Sequence, residues 1–78
     1  MKMTLEKIQE MNLQIGDKVE LTLEPKESQT KIRYFISLNK EDKYMSVCQN
    51  KFEGKLVNEG EAYKVNSLDD IKILEYKK

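Results

Sequence analysis

The stretch KIRYFISLNKEDKYMSVCQNK, residues 31–51, decides how this chain folds. It holds two runs of alternating side chains around the polar tetrapeptide Lys40-Glu41-Asp42-Lys43. A period of two marks a strand with one face buried. In the first run Ile32, Tyr34, Ile36 and Leu38 share one face, while Arg33, Phe35 and Ser37 share the other. A four-residue loop over 40–43 sets Leu38 against Met45 and Ile36 against Val47, which keeps an apolar face continuous. A three-residue loop would set Leu38 against Tyr44 and Ile36 against Ser46, so the longer loop is expected.

Upstream, Gly16-Asp17 signals a turn, after which Val19, Leu21 and Leu23 alternate with Lys18, Glu20, Thr22 and Glu24. Pro25 stops that strand because it has no N–H to give to a ladder. A symmetric loop over PKESQT places Leu23 opposite Ile32, Leu21 opposite Tyr34, Val19 opposite Ile36 and Glu24 opposite Lys31. Residues 4–12 read as a helix, with Thr4 as its N-cap, Glu6 in its first turn and Leu5, Ile8 and Met11 on one stripe. So short a helix is not stable alone and must dock.

Downstream, Gly54 and Asn58-Glu59-Gly60 punctuate one or two short strands. Ser67-Leu68-Asp69-Asp70 reads as a single helical turn capped by Ser67. IKILEY then forms the last strand, with Ile71 and Ile73 on one face and Leu74 and Tyr76 on the other.

Together these elements predict one mainly β domain over 1–78: a small five- to six-stranded antiparallel β-barrel over about 17–76, a short N-terminal α-helix over about 4–12, and a one-turn helix before the last strand. Closure hides strand edges and gives a short chain one core. LQIGDKVEL, 13–21, looks like the opening strand of many SH3-like barrels, and KVNSLDDIKIL, 64–74, resembles their closing strand–turn–strand. The helix ahead of the barrel is similar to Sm-like proteins. The resemblance is one of architecture and transfers no binding residue, since such folds host many functions.

The chemistry of the chain is sparse. It has no histidine, the usual general base near neutral pH and the commonest metal ligand. Its single cysteine builds neither a disulfide framework nor a thiolate metal site. Gly16, Gly54 and Gly60 stand apart and make no phosphate-cradling loop. The expectation is therefore no enzyme, with no catalytic residue, no cofactor and no metal. Asp69-Asp70 is read as capping and Cys48 as a strand residue. No apolar run is long enough to span a bilayer and MKMTLEKIQEM has no signal-like core, so a cytoplasmic protein away from membranes is expected.

Charge is balanced, with 14 basic and 14 acidic side chains, though unevenly spread. Residues 31–55 carry six basic and three acidic groups, whereas 59–75 carry two and five. With the expected register, Phe35, Tyr44, Cys48 and Arg33 gather on the face away from the core. Such a patch needs a reason to stay wet. The helix stripe of Leu5, Ile8 and Met11 covers it, or it is a subunit or partner interface, or it binds nucleic acid. In the last reading Phe35 and Tyr44 stack bases while Lys31, Arg33, Lys40 and Lys43 meet phosphates.

The leading expectation is a protein-interaction or assembly module whose partner is another protein or a second copy. The alternative is a nucleic-acid-binding barrel for RNA or single-stranded DNA that uses 31–51. Thirteen of the 14 basic residues are Lys, which weighs against the second, because Arg is the residue of bidentate base and phosphate recognition. A small-ligand site ranks third, since the core is too small for a sizeable cavity.

Overall fold

A computed structural model of the chain describes residues 2–24, 30–57 and 60–77. Its elements are α1 (Leu5–Glu10), β1 (Lys18–Leu23), β2 (Thr30–Asn39), β3 (Tyr44–Cys48), β4 (Asn50–Phe52), β5 (Lys55–Val57), β6 (Glu61–Lys64), a 3-10 turn (Val65–Ser67) and β7 (Leu68–Glu75). One antiparallel sheet has the order β6-β3-β2-β1-β7, and β4 and β5 form a separate two-stranded ribbon. The expected loop residues Pro25 to Gln29 and the Asn58-Glu59 turn lie outside the described residues.

Each element follows from its sequence. The Thr4 side chain accepts from the Lys7 amide at 3.2 Å and caps α1, and Asn12 takes a left-handed φ of 53° beyond the helix end. The 40–43 loop closes as expected: Asn39 Oδ1 accepts from the Asp42 amide at 2.8 Å, and Leu38 pairs with Met45 and Asn39 with Tyr44. In the β4–β5 ribbon, Glu53 and Gly54 have φ of 51° and 81°, as a two-residue hairpin turn with the strands' twist requires.

The β1–β2 register differs from the expected one by three residues. Val19 lies opposite Arg33 and Leu21 opposite Lys31, so Lys31, Arg33 and Phe35 share the core face and Ile32 and Tyr34 the outer face. Phe35 is 6% exposed and Ile32 is 46% exposed. The cause is a bulge: Phe35 pairs with Val47 and Ser37 with Ser46, leaving Ile36 as an extra residue. That extra residue lets Phe35 and Leu38, three apart, both face inward. The expected inward set therefore keeps Leu38, Met45 and Val47 and loses Ile32, Tyr34 and Ile36, with Phe35 in their place.

The C-terminal half is also adjusted. The helical turn occupies Val65–Ser67 rather than 67–70, and Ser67 Oγ donates to the Lys64 carbonyl at 2.7 Å instead of capping an aspartate amide. The last strand consequently begins at Leu68. Ile71 and Ile73 face inward, opposite Leu21 and Val19, as their alternation predicts, and Leu74 and Tyr76 are exposed, although an extra residue at Leu74 interrupts the alternation before Tyr76.

Among the described residues β6 and β7 are the two edges of the sheet and do not pair with each other, so the sheet is not closed into a barrel. The 3-10 turn spans part of the gap, with the Val65 amide donating to the Lys43 carbonyl and the Glu24 amide to the Ser67 carbonyl. The helix supplies the rest of the cover. Ile8 is buried in one cluster with Phe35, Val19, Leu21, Met45 and Leu68, while Leu5 and Met11 pack against it. A second core over an outer patch does not form, because the bulge brings Phe35 to the same side as the helix.

A buried carboxylate fixes one corner. Asp17 is 1% exposed, and its Oδ2 accepts from the Gln14 amide at 2.9 Å and its Oδ1 from the Lys77 amide at 2.8 Å. Its own carbonyl accepts from the Phe35 amide at 2.9 Å. The preceding Gly16 has φ of 99°, which a side chain rarely tolerates.

Candidate functional site

The basic aromatic stretch does not present one binding face. Phe35 is in the core under α1. Lys31 and Arg33 lie on the core side of β2, both half-buried. Tyr44 is half-buried on the outer side, between Asn39 and Lys64 of the neighbouring strands. Lys40 and Lys43 are exposed in the loop, Lys43 with a left-handed φ of 55°. Of the six candidates, only Tyr44, Lys40 and Lys43 remain together at one end of the sheet.

Arg33 is engaged elsewhere. Its Nε donates to Glu61 Oε1 at 2.7 Å and its Nη1 to the Ile32 carbonyl at 2.8 Å. The Tyr63 hydroxyl donates to the other oxygen of Glu61. Val47 lies opposite both Phe35 and Glu61, so this three-membered cluster sits beside the core on the same side of the sheet. Charge-assisted bonds to both carboxylate oxygens let a cation lie against apolar neighbours without being left unpaired. Sequence reading missed Glu61 and Tyr63. Their only signal is the acidic balance of 59–75 against the basic balance of 31–55.

The cluster shifts all three groups. The Glu61 hydrogen bond raises the Arg33 pKa against the opposing effect of burial. Burial pushes the Glu61 carboxyl up, but the bonds from Arg33 and Tyr63 and the charges of Arg33 and Lys31 outweigh it and hold the group below its ordinary value. Burial and the bond to Glu61 push the Tyr63 hydroxyl up to about 12.

Two measurements follow. Glu61 binds its proton less readily folded than unfolded, so its contribution is complete above pH 4.5 and is lost as pH falls through its lowered value. Glu61→Gln should lower stability at neutral pH by about 1–2 kcal/mol, with the deficit shrinking in acid, as urea unfolding at several pH values would read. Tyr63 is the reverse case. It holds its proton more tightly when folded, so its contribution is complete below pH 10.0 and is lost as pH rises through about 12. A spectrophotometric titration should show a phenolate appearing near pH 12, which disappears in Tyr63→Phe.

Two of the surface depressions adjoin these residues. One, of about 600 Å³, lies where Met3, Leu5 and Glu6 at the start of α1 meet Asp42 and Lys43 of the loop and Lys64, Val65 and Asn66 at the end of β6. Its floor is apolar and its rim carries both signs of charge. The other, of about 480 Å³, is mostly polar and is lined by Lys18, Ile32, Arg33, Tyr34, Gln49 and Asn50. The Cys48 thiol is buried and donates to the Asn50 carbonyl at 3.5 Å. Among the described residues no group of three or more Cys, Asp or Glu side chains is placed to hold a metal ion, and no helix is long and apolar enough to cross a membrane. No protein-family model, no curated protein and no solved structure matches the chain.

Proposed function

We propose that this chain is a non-enzymatic interaction module that binds an extended segment of another protein along the free edge of β6. The observation that carries the reading is the pairing of that edge with the 600 Å³ depression at its end. Among the described residues β6 bonds only to β3, so the backbone groups of Glu61–Lys64 on the other side are open to a further strand. A strand added there would run toward Met3, Leu5 and Val65, whose apolar surface fits one aliphatic or aromatic side chain. The mixed rim of Glu6, Asp42, Lys43 and Lys64 would set its direction.

The same proposal takes the fold as an open variant of the SH3-like or Sm-like small β-barrel. The last strand beside the first, the 3-10 turn before it and the helix ahead of it support this. The lone cysteine fits work in a reducing, cytoplasmic setting.

Labelled protein titrated with peptides selected from a random library should show shifts at the Ala62 and Lys64 amides and at Met3 and Leu5. The second reading, nucleic-acid binding, is favoured only by Tyr44 standing beside Lys64 with Lys40 and Lys43 in the adjoining loop. Single-stranded oligonucleotides that move Tyr44, Lys40 and Lys43 in a salt-sensitive way, with no selected peptide moving β6, would replace the first reading by the second.

A further inference from the structure

We propose that β7 pairs antiparallel with the β7 of a second copy, about a two-fold axis between Ile73 and Leu74, to make one continuous sheet across a dimer. The site is the opposite edge of the sheet from β6 and does not depend on the reading given there.

Three observations carry it. First, β7 bonds only to β1 among the described residues, and the N-terminal segment meets it at its start, where the Met3 amide donates to the Leu68 carbonyl at 3.0 Å. Ile71 to Glu75 therefore present an open edge.

Second, β7 carries a bulge. Lys18 lies opposite Glu75 and Val19 opposite Ile73, so Leu74 is the extra residue. Without it, Lys72 and Glu75, three apart, would point to opposite faces. With it, both lie on the outer face, opposite Glu20 and Lys18 respectively, and both are exposed.

Third, the edge is self-complementary in one register. An axis between Ile73 and Leu74 sets Lys72 against Glu75 of the second copy, and Ile73 against Leu74, each pairing occurring twice. Further out, Tyr76 falls opposite Ile71 and Lys77 opposite Asp70. On the outer face the row then reads Lys18, Glu75, Lys72 of the second copy, Glu20 of the second copy, alternating in sign across four strands. An axis on Lys72 instead stacks that lysine on itself, and an axis on Ile73 sets Glu75 against Ile71. The pairing also covers Leu74, which is 41% exposed, and Tyr76, which is 68% exposed.

Sedimentation equilibrium of the full chain should show a concentration-dependent dimer that weakens as salt is raised, because the charged row is open to solvent. Lys72→Glu alone, and Glu75→Lys alone, should each weaken self-association about tenfold or more by placing like charges across the axis. An equimolar mixture of the two single variants should associate again, since each then supplies the charge that the other lacks. Thermal unfolding of each variant confirms that it is folded. A wild-type chain that stays monomeric at millimolar concentration, single variants that associate like wild type, or a mixture that fails to recover would each overturn the proposal. The variants leave β6 and its depression untouched, so peptide binding there reports separately.

Discussion

Phe35→Ala should lower stability by about 3–5 kcal/mol, while Ile32→Ala should be close to neutral. Removing a buried phenylalanine costs about 3–5 kcal/mol, and small domains have only about 5–15 kcal/mol in total. Phe35 is held between α1 and the sheet, and its loss opens a cavity beside Ile8, Val47 and Met45 that a strand bonded on both sides is poorly placed to collapse. Ile32 keeps nearly half its surface in water, and changes at such positions stay within about 0.5 kcal/mol. Urea unfolding of the two variants reads the difference. The pair also tests the β2 register, because a strand with Ile32, Tyr34 and Ile36 inward would give the opposite order.

Asp17→Ala should lower stability by about 2–4 kcal/mol, because it strips the acceptor from two backbone N–H groups near the core. Those donors belong to Gln14 and Lys77, which are joined through nothing else but this carboxylate in the described hydrogen bonds. Asp17→Asn should fall between wild type and alanine. The two amides bond to different oxygens, and an asparagine offers an acceptor to only one while turning an NH₂ group toward the other. Denaturant unfolding measures the loss, and faster hydrogen exchange at the Gln14 and Lys77 amides locates it.

Much of the local architecture is legible in the sequence. Thr4 caps the helix, the 40–43 loop has the length that Leu38 and Met45 require, and Ile71 and Ile73 alternate with exposed neighbours. The face of β2 is not legible. Judged by apolarity alone, Ile32, Tyr34 and Ile36 are a better core set than Lys31, Arg33 and Phe35. Two distant facts reverse that choice. The bulge at Ile36 has no glycine or other special residue to mark it, and the cation it turns inward is satisfied by Glu61, 28 positions away. Alternation reports the number of faces a strand has; it does not report which one a later strand will make habitable for an arginine. The candidate site suffered for the same reason, since a stacking surface built on Phe35 and Arg33 needs both to point outward.

The Asp17 corner also bears on the order of events as the chain is made. β1 lies between β2, which follows it, and β7, which ends at Glu75. The helix that opens the chain is tied to Leu68 through Met3, and Asp17 waits for the amide of Lys77. Contacts of such long separation raise the entropy that must be lost before they form and slow folding. While residues 68–77 are still within the ribosome, the carboxylate of Asp17 has one of its two donors missing and one side of β1 is bare. The β1–β7 pairing therefore forms only after residues 68–77 have emerged, and until then that side of β1 is open to other strands.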